Sequence, residues 1–231
     1  GSSGGVDLQR YYPGDSHVRE LLGIPHDAPV IGFAGRLTQD KGLPELLEAF
    51  VAILRAEPHA RLLLVGWFDA SEDALGMALR KRIEGHPMIF CTGFVADAAP
   101  YYRAMDLMVL PSLREGFPNV VLEAAASRIP VIGTLCTGSR DAVVPEVTGM
   151  LVPPGDPDAI TKAVVGLLQD PARRLEMGNA AREWVAENYE HKRVLALATD
   201  FYLGMISPAD TLSPHASTKV RRRATGLPVL P

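Results

Sequence analysis

Six short apolar runs, most of them followed by a polar loop and a stretch of helical periodicity, constrain this chain more than any other feature. They are PVIGFAG at 29–35, RLLLVG at 61–66, MIFCTG at 88–93, LMVLP at 107–111, PVIGT at 130–134 and GMLVP at 149–153. Each has strand length and reads as a near-continuous apolar stretch, the pattern of strands covered on both faces. Between the first two, LPELLEAFVAILRA at 43–56 sets Leu46, Leu47, Phe50, Ile53 and Leu54 on one side of a helix. Further helices are expected over 72–83, 98–105, 118–127 and near Asp141. Strands that alternate with helices need parallel crossovers, which predicts a doubly wound α/β parallel sheet of about six strands.

After the sixth run the strand signals stop. DPDAITKAVVGLLQD, PARRLEMGNAAREWVAENY and HKRVLALATDFYLGMI read as three C-terminal helices. The last segment, 207–231, is rich in Pro, Ser, Thr and Arg and is expected to be a flexible basic tail. Its KVRRR run reads as solvated charge rather than a phosphate site.

The chain has 231 residues, 47% of them apolar, and a formal net charge of -4. That is enough apolar material for a real core, and it carries no basic excess of the kind that marks nucleic-acid binding. No charge-free run of transmembrane length occurs, and GSSGGVDLQRYYP lacks the basic and apolar regions of a signal peptide. Cys91 and Cys136 stand in apolar surroundings and are expected to be buried reduced thiols, in keeping with a cytoplasmic protein. The six histidines are scattered without metal-ligand spacing, so no metal is expected.

In an open parallel sheet, ligands bind beyond the carboxyl ends of the strands. The segments that follow the first five runs are GRLTQDKG, GWFD, TGFVAD, SLREGFPN and LCTGSRD. Sequence-distant glycines and polar side chains thus collect on one rim. Arg36 and Lys41 are the anion readers among them: one offers a planar fork of donors, the other a mobile point charge. Isolated cations in a loop are ordinarily just solvated, but the rim position of these two favours phosphate. Neither GxGxxG nor GxxxxGK[ST] is present, which argues against a nicotinamide dehydrogenase and a P-loop NTPase.

REGFPNVVLEAA at 114–125 carries two glutamates, Glu115 and Glu123. A helix start with an acidic residue near its positive end would explain one of them, and a solvated helical Glu the other. The rim position suggests more. Pro118 fits the first helical turn, leaving the Gly116 and Phe117 amides in the preceding turn to meet a ligand. Glu123 then lies about one turn, roughly 5 Å, along the helix. Carboxylates accept two hydrogen bonds from a vicinal diol, so the pair suits an extended ligand with a hydroxyl-bearing ring at each end and anions between.

These motifs resemble the C-terminal half of the glycosyltransferase group 1 enzymes, retaining nucleotide-sugar transferases of the GT-B fold. GGVD (4–7), GRLTQDKG (35–42), TGFV (92–95), EGFPNVVLEAAA (115–126) and TGMLVPPGDPDA (148–159) carry the likeness, which extends over about residues 4–205. It implies a Rossmann-like domain at 13–206, with 1–12 the remnant of an interdomain linker and an acceptor-binding N-terminal half elsewhere. Arg36 and Lys41, with Gly35 beside them, would hold the diphosphate. Glu115 would contact the donor sugar, alongside Gly116, Phe117, Pro118 and Asn119. Glu123 would grip the ribose, and Val95 and Asp97 would lie against the base.

The resemblance implies transfer with the anomeric configuration kept, and no cofactor or metal, because the two cations neutralise the leaving diphosphate. It also implies a saccharide or lipid-linked acceptor in surface polysaccharide or glycolipid synthesis, and peripheral contact with the inner membrane face. UDP is the expected nucleotide. A nucleotide-sugar epimerase of the same architecture and a non-catalytic binding module are the alternatives. Two departures from the family pattern stand out: VGWFD in place of a Gly-x-Gly turn, and Arg128 where glycine usually follows the helix.

Overall fold

The computed structural model describes residues 4–69 and 75–206. The elements run α1 (Val18–Leu21), β1 (Val30–Ala34), α2 (Leu43–Ala56), β2 (Arg61–Val65), α3 (Met77–Glu84), β3 (Ile89–Cys91), α4 (Ala99–Tyr102), β4 (Leu107–Leu110), α5 (Asn119–Ala126), β5 (Val131–Thr134), α6 (Thr137–Ala142), β6 (Gly149–Val152), α7 (Pro157–Gln169), α8 (Pro171–Asn188) and α9 (His191–Ile206). The six strands form one sheet in the order β3-β2-β1-β4-β5-β6. Every neighbouring pair is parallel. The doubly wound sheet read from the apolar runs is thus the fold observed.

The reason lies in burial. Every residue of β1, β4 and β5 is buried, so both faces of the sheet's centre are covered. On α2, Leu46, Leu47, Phe50 and Ile53 are buried and Leu54 is half-buried, so the apolar stripe faces the core as its spacing requires. This helix packs on α7, and α5 packs on α8. Emptying one such position, for example Ile53→Ala, costs about 2–5 kcal/mol because the neighbours close the cavity only in part.

Some expectations need correction. The helix expected over 72–83 begins only at Met77, after Leu75 and Gly76, which are not helical; residues 70–74 of that stretch, like the tail 207–231, lie outside the described residues. Pro118 is not inside the first turn of α5 but at its N-cap, with an extended backbone that the proline ring accommodates. Cys91 is exposed, because it ends the edge strand β3, and Cys136 is only half-buried at the start of α6; both are free thiols. The one-turn helix α1 carries no periodic signal, being too short to show one.

Residues 4–12, expected as a linker, pack on the domain through buried Val6 and Tyr11. The next stretch is pinned by Arg19, which donates to Ala104 O and Asp106 Oδ2, both at 2.9 Å. Asp106 Oδ2 in turn accepts from Val30 N at 2.8 Å, so the latch closes on the start of β1. Arg128 has φ 62°, the left-handed conformation that glycine takes without strain, at a cost of about 1 kcal/mol. Among the described residues no helix is long and apolar enough to cross a membrane.

Candidate functional site

The chain lays β2 and β3 on one side of β1, then crosses to place β4 on the other. β1 and β4 pair without being consecutive in the chain, and it is beyond the carboxyl ends of two such strands that an open parallel sheet has its ligand crevice. The loop after β1 brings Gly35, Arg36 and Lys41 to this crevice, and the loop after β4 brings Ser112, Glu115, Gly116 and Phe117. Lys41 Nζ donates to Glu115 Oε1 at 2.7 Å, with the two side chains only 18% and 11% exposed. Ser112 Oγ donates to the same oxygen at 2.7 Å, and the Thr134 hydroxyl, at the end of β5, donates to Ser112 O. One chain of polar contacts therefore crosses the ends of β1, β4 and β5.

Backbone contact makes that pairing close. Gly42 has φ 71°, and a Cβ there would stand 2.1 Å from Pro111 O. Only glycine lets the start of α2 touch the end of β4. On the other side, a Cβ on Gly138 would stand 2.1 Å from Gly116 O, so α6 abuts the Glu115–Gly116 turn.

Arg36 is held from the β2 side. Its Nη1 donates to Asp69 Oδ2 at 2.6 Å, and the two loops are joined by Gly35 N to Val65 O at 3.0 Å and Leu37 N to Trp67 O at 2.8 Å. Both cations read from the sequence thus face a carboxylate. Such a pair keeps the cation oriented, and an entering anion can take over the carboxylate's place as acceptor.

Glu123 is neither solvated nor a simple helix-start acid. It is the fifth residue of α5, half-buried, and Tyr102 Oη donates to its Oε2 at 2.7 Å. Tyr102 is buried at the end of α4, edge-on to Tyr11 with ring centroids 5.8 Å apart. Burial pushes the Glu123 carboxyl above the usual carboxylate range; the hydroxyls of Tyr102 and Tyr11 oppose the shift without cancelling it. The same burial, together with the facing carboxylate, raises both tyrosines.

Val95 is half-buried against the core. Asp97 is exposed and accepts from Arg10 Nε and Nη2, both at 3.0 Å, and from Ala99 N at 3.2 Å. What burial it has works against ionisation, but the amide and the guanidinium outweigh this and hold its carboxyl below the usual range. Pro118 is buried, Gly116 and Asn119 are exposed, and half-buried Phe117 packs on Tyr189.

Sequence reasoning singled out Arg36, Lys41, Glu115 and Glu123 but not their partners. Thr134 ends β5, and Ser112 and Asp69 lie in the loops that follow β4 and β2, which is a usable signal. Tyr11, Tyr102 and Arg10 have no local signature, because they reach the site from other elements. Among the described residues no group of three or more His, Cys, Asp or Glu side chains is arranged to hold a metal ion.

Residues 28–170 match the family Glycosyl transferases group 1, well over half of the chain. The chain belongs to the group 1 glycosyl transferases. Its relatives include the capsular polysaccharide biosynthesis glycosyltransferase CapM of Staphylococcus aureus, 32% identical over 190 residues, covering 82% of this chain and 50% of CapM. Sucrose-phosphate synthase from Thermosynechococcus elongatus superposes with a TM-score of 0.76 at 32% identity, over 89% of this chain and 52% of the synthase. The C-terminal domain of the group 1 family protein LpcC from Francisella tularensis superposes with a TM-score of 0.72 at 28% identity, over 80% of this chain and 99% of that domain. The chain thus spans about half the length of the curated relatives it matches, and its fold is one half of the GT-B architecture.

Proposed function

We propose that this group 1 chain binds the donor for a retaining sugar transfer, from a nucleoside-diphosphate sugar to a saccharide or lipid-linked acceptor. The observation that carries the reading is the convergence of Arg36, Lys41 and Glu115 on the β1/β4 crevice, with Lys41 and Glu115 in direct contact. Arg36 and Lys41 take the diphosphate and balance the charge that grows on it as the sugar leaves, without a metal. Glu115 accepts from hydroxyls of the sugar, beside the Gly116 and Phe117 amides. Glu123, oriented by Tyr102, accepts from the ribose diol. Val95 and Asp97 border the base, and UDP is the expected nucleotide.

In this reading the acceptor is held by a second, N-terminal half, and the product belongs to surface polysaccharide or glycolipid synthesis at the cytoplasmic membrane face. The half-length match to full transferases supports the division of labour. Positioning an acceptor is worth about 7–11 kcal/mol of barrier, so the chain by itself binds donor but transfers little. The test is calorimetric titration of the chain with UDP, GDP and ADP, with and without EDTA. Binding of one nucleotide, unchanged by chelation, is expected. Failure to bind any of the three rejects the donor reading; loss of binding on chelation rejects metal independence.

A further inference from the structure

Tyr189 closes α8 at the point where segments 4–6 and 189–191 run side by side. Val6 N donates to Tyr189 O at 2.8 Å, His191 N donates to Val6 O at 3.0 Å, and Val6 and Glu190 form a parallel bridge. The backbone of Tyr189 is therefore fixed to segment 4–6. Its ring contacts one residue of the candidate site, Phe117. It packs on Phe117 with ring centroids 5.3 Å apart and planes at 36°, and on Trp184 at 5.1 Å and 50°. Trp184 lies inside α8, so the Tyr189 ring has a helical support behind it.

Phe117 is half-buried and packs against the core as well as on Tyr189, but it sits in a loop. Residues 111–118 belong to neither a helix nor a strand. Within them, Glu115 is tied down by Lys41 and Ser112, and Gly116 abuts Gly138. The Phe117 ring, next to the Gly116–Phe117 peptide, meets the Tyr189 ring. Arg36 and Glu123 are held separately, by Asp69 and by Tyr102.

We infer that Tyr189 is a positioning residue: backed by Trp184, its ring holds Phe117 from the α8 side, and so sets where the Gly116–Phe117 peptide stands beside Glu115. It thereby couples the sugar side of the site to the junction of segments 4–6 and 189–191. The inference rests on the reading of Glu115, Gly116 and Phe117 as donor-sugar contacts. The coupling itself is a property of the ligand-free chain and is tested there.

The experiment is hydrogen exchange on the ligand-free chain, comparing wild type with Tyr189→Leu, which keeps apolar bulk, and Tyr189→Phe, which keeps the ring. Loss of one aromatic pair is expected to speed exchange at 115–119 by up to about tenfold in the Leu variant and not in the Phe variant. Exchange in β1 and α7 stays as in wild type, and UDP affinity stays within about twofold, because Arg36, Lys41 and Glu123 do not touch Tyr189. Unchanged exchange at 115–119 in Tyr189→Leu, or an equal rise in Tyr189→Phe, overturns the inference. So does a rise spread equally over β1 and α7, which would make Tyr189 a residue of the fold alone. If wild type binds no nucleotide, the proposed function fails, while the exchange comparison still decides the coupling.

Discussion

Helices α7 and α8 begin differently from α2 and α5. Asp156 caps α7 by accepting from Ala159 N, and Asp170 caps α8 by accepting from Arg173 N, each at 2.9 Å. The helices that follow the two strands of the crevice have no side-chain cap: α2 starts from Gly42 and α5 from Pro118. Capping satisfies backbone donors that would otherwise need water or a ligand. Among the described residues only α7 and α8 carry an aspartate cap; α2 and α5 carry none where a diphosphate would approach, and neither do α1, α3, α4 and α6. An Asp cap at either crevice helix would add negative charge beside that anion. The difference separates residues that serve stability from residues that serve the ligand, and it can be broken at either end.

The largest expected effect is at Lys41. Its replacement by Ala removes a cation from the proposed diphosphate site and leaves half-buried Glu115 without its ion-pair partner. Losing one member of a hydrogen-bonded charge pair of this kind costs about 2–5 kcal/mol of binding. Nucleotide affinity by calorimetry should fall at least about thirtyfold, given that 1.4 kcal/mol is tenfold. An unchanged affinity would mean that the crevice is not the anion site.

Next in size is the division between the two glutamates. Glu123→Ala should weaken the nucleotide and its sugar conjugate alike, by about 1.5–3 kcal/mol for a lost charged acceptor. Glu115→Ala should weaken only the sugar conjugate. Because Glu115 holds Lys41 in the ligand-free chain, its removal frees that cation and should not weaken UDP at all. Equal losses of UDP in the two variants would erase the distinction.

At the other end of the comparison, Asp156→Ala and Asp170→Ala should each cost about 1 kcal/mol of stability. In a domain of this size that lowers Tm by about 2–4 °C. Nucleotide affinity should not change. A cap variant that loses binding without losing stability would show that the two groups of helices are not separate.

The smallest effect concerns pH. The Glu123 carboxyl titrates above the usual carboxylate range in the ligand-free chain, chiefly through burial. Its protonated form is a poorer acceptor for the ribose diol. UDP affinity should therefore decline as pH falls from neutral through this raised pKa, and Glu123→Gln should lose that part of the pH dependence. The sign for stability is the opposite: a raised carboxyl favours the folded state when protonated, and that contribution is lost as pH rises through its pKa. Equal pH profiles for wild type and Glu123→Gln would refute the assignment.

The family and its fold were legible because their signals are local. Each strand is a short apolar run whose burial on both faces leaves no room for alternation. The capped helices α7 and α8 follow Asp-Pro dipeptides that any reader of the chain can mark. Arg36, Lys41, Glu115 and Glu123 could be placed on a rim because loops after parallel strands must emerge on one side. Cys91 was misread for the same local reason: apolar neighbours do not reveal that β3 lies at an edge.

By itself, then, the sequence determined the strands, the rim and the residues that carry charge on it. Only the tertiary structure decided that β1 lies beside β4, and with it that Lys41 meets Glu115, Arg36 meets Asp69, and Tyr102 turns toward Glu123. Strand order is set by which apolar faces and helices pack best across the whole sheet, a long-range choice that no window of sequence contains. Partnerships between charges follow from that choice. A side chain's ionisation and orientation depend on groups many residues away in sequence and less than 3 Å away in space.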